Sequence, residues 1–186
     1  MSTPSQLPPP SPPPAPAAGS TFTLARTGDV HDFDFLAGTW AVHHRKLKVR
    51  GGGTDWEEFP GTSRMELLLD GVTNTEEARF PTLGRSGMAV RVFHLARRQW
   101  SIYWVDSRTG VMDPPVVGGF DGDRGEFYGE DTDDGRPVKV RFIWTRLGPD
   151  RARWEQAFSP DGCAWETNWI MEFTRTDAPR ADQAPA

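Results

Sequence analysis

At 186 residues the chain is long enough for one domain with a sizeable core and too short to need two. Its net charge of −5, with Lys and Arg interspersed among Asp and Glu from Asp55 onward, gives no general attraction to phosphate backbones and argues against nucleic acid as a partner. Only 37% of residues are hydrophobic, but eight Trp and eleven Phe concentrate that apolar surface in side chains that each bury about 150–250 Å², so an aromatic-rich core is expected.

Cys163 is single, which excludes an intrachain disulfide and any metal site built from cysteine pairs. There is no basic, then apolar, leader at the N-terminus and no apolar run near the ~20 residues of a membrane span, so the expectation is a cytoplasmic protein without membrane contact.

Residues 1–20 are proline, alanine and serine without a charged side chain, too poor in apolar surface to offset the entropy of ordering. They are expected to form a disordered or polyproline-II tail, either a plain solvated leader or a PxxP ligand. Residues 177–186 are the matching loose end, which leaves a globular domain over 21–176. It opens at HDFDFLAGTWAV, residues 31–42, where a short helical turn over 32–36 precedes Gly38 and Trp40.

From there the hydrophobic period is 2 and turn residues are frequent. Strands are predicted at 40–49, at 57–69 with a bend at Pro60-Gly61, and at 73–80. A hairpin over 88–95 and 99–106 follows, then a loop over 107–115. The remaining strands are predicted at 116–120, 125–130, 137–146, 151–158 and 164–175. Asp70-Gly71, Asp121-Gly122, Asp134-Gly135 and Asp161-Gly162 supply the positive-φ positions of tight turns, so successive strands should be antiparallel neighbours.

Alternation assigns the faces of these strands. Val138, Val140, Phe142 and Trp144 are expected to point inward, as are Trp154, Gln156 and Phe158, and Trp165, Thr167, Trp169, Met171 and Phe173. Met88, Val90, Val92 and His94 are expected inward with Arg91 outward. So many meandering strands with one apolar face predict an all-β fold, a single antiparallel up-and-down β-barrel of about ten strands, since closure removes unpaired edges.

Gly38-Thr39-Trp40 after an aromatic turn, with Arg175 ending the last strand, resembles the calycin arrangement of lipocalins and fatty-acid-binding proteins. That resemblance implies that Trp40 plugs the closed end of the barrel and Arg175 packs over it. DFDFLAGTW, WSIYWVDSR, DPPVVGGF, GEFYGEDT, RWEQAFSPDG and WETNWIMEFTR together resemble a bacterial family of uncharacterised lipocalin-like proteins, the DUF1579-like set. The second resemblance implies the fold and supplies no activity. The haem-binding nitrobindins are similar in opening with GTW but continue it with further glycines, where this chain has Ala41 and Val42.

If Trp40 points inward, so does His44, and with His94 it would form an acid–base or ligating pair; the plainer alternative is a core histidine bonded to backbone. No HExxH or Cys-His spacing accompanies them, so neither a metal site nor a cofactor is expected. QWSIYWVDSR, residues 99–108, places Tyr103 and Trp104 on a ligand wall with Asp106 and Arg108 at its rim, or else Asp106 and Arg108 are a surface ion pair. A strand apolar on both faces also fits a homodimer contact. The longest irregular stretch, TGVMDPPVVGG over 109–119, is a lid with Met112 as its contact, or an ordinary crossover, and Asp113 is a candidate site carboxylate or a turn initiator. The leading expectation is a cavity lined by Trp104, Trp144, Trp154, Trp169, His44, His94 and Gln156 that holds a small hydrophobic or aromatic molecule. The alternatives are a cofactor-independent cyclase or isomerase using the same cavity, a haem-binding barrel, and a passive interaction barrel filled by its tryptophans.

Overall fold

The computed structural model describes residues 26–176. The tails expected over 1–20 and 177–186 lie outside the described residues. The described chain forms ten strands: β1 (Gly38–Leu47), β2 (Trp56–Leu68), β3 (Thr73–Phe80), β4 (Arg85–His94), β5 (Gln99–Asp106), β6 (Val116–Asp121), β7 (Arg124–Asp133), β8 (Arg136–Gly148), β9 (Arg151–Ser159) and β10 (Glu166–Arg175). Each pairs antiparallel with the next, and β10 returns to pair with β1, closing the barrel. Helical structure among the described residues is confined to short 3-10 turns, the first at Asp34–Leu36, just before β1. No helix among them is long and apolar enough to cross a membrane.

Turn chemistry explains the connectivity. Asp134 and Gly135 both take positive φ, 47° and 78°, as a two-residue turn between twisted antiparallel strands requires, and β7 and β8 pair in register up to that turn. The β5–β6 seam is the short one, pairing only Trp100, Ser101 and Ile102 with Gly118, Val117 and Val116. Beyond it the loop between them folds back along β5, with the Asp113 N–H donating to the Trp104 carbonyl at 2.9 Å.

One end of the barrel is a packed floor. Phe33, fully buried, meets Trp100 and Phe120 edge to face at ring-centroid separations of 5.1 Å each, with Phe127 at 5.7 Å. Trp40 and Arg175 are direct cross-strand partners, and the guanidinium lies 4.1 Å from the indole centroid. The Trp40 indole N–H donates to the Leu36 carbonyl at 2.8 Å, while Arg175 donates to the Ala37 and Phe35 carbonyls at 2.7 Å each. The aromatic turn has little regular backbone pairing of its own, so these side-chain donors hold its carbonyls.

Two of the expected face assignments are corrected. β4 is inverted: Ala89, Arg91 and Phe93 are buried, while Met88 and Val92 are 40% and 37% exposed and His94 is also exposed. In β10 the pairing register shifts between Thr167 and Trp169. Asn168 is the extra residue, and it changes the parity of everything before it. Trp169, Met171 and Phe173 point inward as expected, but Thr167 lies opposite Ala157 on the outer set, and Trp165 packs outside against Tyr128 and under Arg141.

Replacing Trp40 with Ala removes a buried indole, its hydrogen bond and the surface under Arg175. The expected loss is about 3–5 kcal/mol of unfolding free energy, read from urea denaturation.

Candidate functional site

Above the floor the barrel holds a cavity of about 160 Å³. The room comes from unequal walls: β3 and β4 place Ala78 and Ala89 in the lining, across from the indoles of Trp144, Trp154 and Trp169. Gly87 contributes in another way, because a Cβ there would collide with the Trp104 indole. The glycine lets that ring lie close against the β4 backbone. An apolar cavity of about 150 Å³ accepts benzene, so this one has room for a single ring and its small substituents.

The lining has a polar base and a polar mouth. At the base, Arg91 is 2% exposed and forms an ion pair with the Glu76 carboxylate. Ser63 donates its hydroxyl to the other Glu76 oxygen at 2.5 Å, and Arg91 also donates to Asn74 Oδ1 at 3.1 Å. The guanidinium lies 4.9 Å from the Phe33 ring centroid and 5.4 Å from that of Trp144, so the charge is held by a carboxylate, an amide and two π faces. On the β9–β10 side, half-buried Gln156 donates its amide N–H to Asn168 Oδ1 at 2.8 Å, so the bulged residue supplies its partner inside the barrel. At the mouth are Asp113 and Pro114 from the folded-back loop, with Glu130 and Asp131 from β7.

The expected site residues divide into those that the barrel brings together and those that it does not. Trp104, Trp144, Trp154, Gln156 and Trp169 all line the cavity. Tyr103 borders it but pairs across the ladder with Val90, which puts its ring on the outer set. Asp106 and Arg108 stand apart from the lining. Hydrogen bonds from Arg108, and then from Arg85, hold the Asp106 carboxyl down at about 2, so this group is an anchor for two arginines. Met112 is exposed, and the loop meets the cavity through Asp113 and Pro114 instead.

The histidine pair is not assembled. His94 lies outside at the β4–β5 hairpin, where its ring accepts the Arg97 backbone N–H at 3.2 Å. His44 is inward and 2% exposed, but it is walled from the cavity. It stacks on Phe59 at a centroid separation of 4.8 Å and meets Phe80 at 5.1 Å, and its Nδ1 accepts the Trp169 indole N–H at 3.3 Å. Burial, with His43 and Arg85 adding to it, lowers its pKa to about 4. It is a neutral core histidine that fixes the back of Trp169. Among the described residues no cluster of His, Cys, Asp and Glu has the makings of a metal site.

Sequence reasoning missed Glu76 and Arg91, because a charged residue between valines, as Arg91 is, or in a polar run, as Glu76 is between Thr75 and Glu77, is ordinarily the solvated one. The signal was present on the other parity: Gly87, Ala89 and Phe93 share a face with Arg91, small residues and an aromatic beside the charge.

The fold and cavity together define a closed ten-strand antiparallel barrel with an aromatic-rich interior cavity. No protein-family model matches the chain, and no curated protein matches it either.

Two outcomes follow for stability. Arg91→Met strands the Glu76 carboxylate and is expected to cost about 3–5 kcal/mol in urea unfolding, most of which the double variant Arg91→Met/Glu76→Leu recovers. For His44, whose pKa falls from an ordinary 6.5 to about 4 on folding, the unfolded chain takes up a proton first as the pH drops. Stability from this group is therefore whole above pH 6.5 and declines between 6.5 and about 4, by on the order of 3 kcal/mol. His44→Phe should flatten that part of the stability profile, measured by denaturant unfolding at successive pH values.

Proposed function

We propose that the protein binds a small, predominantly apolar or aromatic molecule inside the barrel. The cavity carries this reading. Protein interiors are packed with few voids larger than a water molecule, yet here indoles from four strands surround about 160 Å³ of space that opens at a polar mouth. Apolar walls with a few convergent polar groups are the ordinary form of a small-molecule site. The floor made by Trp40 and Arg175 supports the same reading, because in the lipocalin-like class that the sequence resembles the end opposite such a floor receives the ligand.

The test is a titration with single-ring aromatic compounds followed by tryptophan fluorescence, since Trp104, Trp144, Trp154 and Trp169 all border the space. Binding is expected to shift or quench the emission. Ala89→Phe, which builds a ring into the cavity, should weaken it at least tenfold while unfolding stays cooperative. Equal binding by both proteins, or no binding by the wild type, would instead favour a passive interaction barrel.

A further inference from the structure

Resting on that reading, the geometry points to the charge of the ligand: the cavity takes a small organic cation, an amine or quaternary ammonium group on a compact apolar body. The lining holds four carboxylates, Glu76, Asp113, Glu130 and Asp131, against one cationic side chain, Arg91. Glu76 is taken by Arg91, and Glu130 is taken by Lys139. What remains at the mouth is negative, carried by Asp113 and Asp131. Burial raises the Asp113 carboxyl, and the neighbouring charges of Asp131 and then Asp106 raise it further, a crowding of like charges that a bound cation relieves.

The walls suit the same ligand. Trp104, Trp154, Trp169 and Phe142 border the cavity, and a desolvated cation is attracted to the π face of such rings. The protein already uses its aromatic rings in this way. Lys46 Nζ stands 4.6 Å from the Trp169 centroid, and the Arg85 guanidinium stands 4.8 Å from that of Phe80 and 5.8 Å from that of Trp169. Lys46 and Arg85 are outside the lining, and Arg85 is held with Arg108 on Asp106. Neither side chain borders the space, so the unpaired charge at its lining is that of the mouth carboxylates. An anionic ligand would meet Asp113 and Asp131 on entry and find Arg91 already paired.

The experiment is calorimetric titration of the full chain at neutral pH and low salt with three probes of matched size: benzylamine, benzyl alcohol and benzoate. Benzylamine is expected to bind at least tenfold more tightly than benzyl alcohol, about 1.4 kcal/mol, with benzoate weakest. The preference should shrink as salt is raised, and in Asp113→Asn/Asp131→Asn the two neutral-pH affinities should come within about threefold. The salt titration of the wild type serves if that variant fails to fold. Benzyl alcohol binding as well as benzylamine, benzoate binding best, a preference indifferent to salt, or one that survives both substitutions overturns the cation assignment while leaving the binding reading intact. Failure of all three probes overturns both.

Discussion

The ion pair between Arg91 and Glu76 decides which face of β4 is the inner one, and the cavity depends on that decision. Alternate residues of a strand share a side, so a guanidinium fixed inside draws Ala89 and Gly87 in with it and sends Met88, Val90, Val92 and His94 out. The opposite choice would put Met88, Val90 and Val92 where the small residues now stand, and the space in front of Trp104, Trp154 and Trp169 would be filled. Removing two charges from water costs several kcal/mol for each ion. Ser63, Asn74 and the ring faces of Phe33 and Trp144 offset that cost, and each is held by an element of its own: β2, β3, the floor turn and β8. The pair is therefore tied to the closure of the barrel and is not a local event on two strands.

This also marks where the sequence was legible. Turn residues and period-2 alternation disclosed ten strands and their antiparallel order, because both are local signals: an Asp-Gly pair makes its turn wherever the flanking strands lie. The inner faces of β8 and β9 were equally plain, since Val140, Phe142 and Trp144, and Trp154 with Phe158, gather their bulk on one parity. In β4 bulk and polarity disagree. Three apolar side chains go to the surface and an arginine goes in, and only the acid two strands' length away in sequence, Glu76, makes that choice favourable. In β10 the difficulty was geometric. Tryptophans at 165 and 169 read as one face until the single unpaired residue at Asn168 reverses the parity between them. Nothing in composition announces a bulge. Its trace is the hydrogen-bonded amide pair of half-buried Gln156 and buried Asn168, the residue at which the ladder register shifts.

The same two departures build the site. The inversion of β4 supplies the small wall and the charged base, and the bulge in β10 lets Glu166 turn toward the barrel rim, where it accepts the backbone N–H groups of Gly51 and Gly52 at 2.8 and 2.6 Å, while Trp169 still enters the cavity below it. A regular β10 would give up one of these. Strands β5, β8 and β9 supply the aromatic wall, and the two departures supply the small wall opposite it and the amide beside it.

Trp144 joins the two halves of the interior. Its ring meets Phe33 at 6.1 Å and Phe173 at 5.2 Å on the floor side, stands within reach of the Arg91 guanidinium, and borders the cavity. Trp154, its direct cross-strand partner, belongs to the same buried cluster. Trp104 and Trp169 lack that footing: they pack against Phe80, with the neutral His44 beside Trp169. A disturbance of the floor therefore reaches the cavity through the Trp144–Trp154 pair and the Arg91 guanidinium. The packed floor and the polar mouth lie at opposite ends of one barrel, and Trp144 with Arg91 is the joint between them.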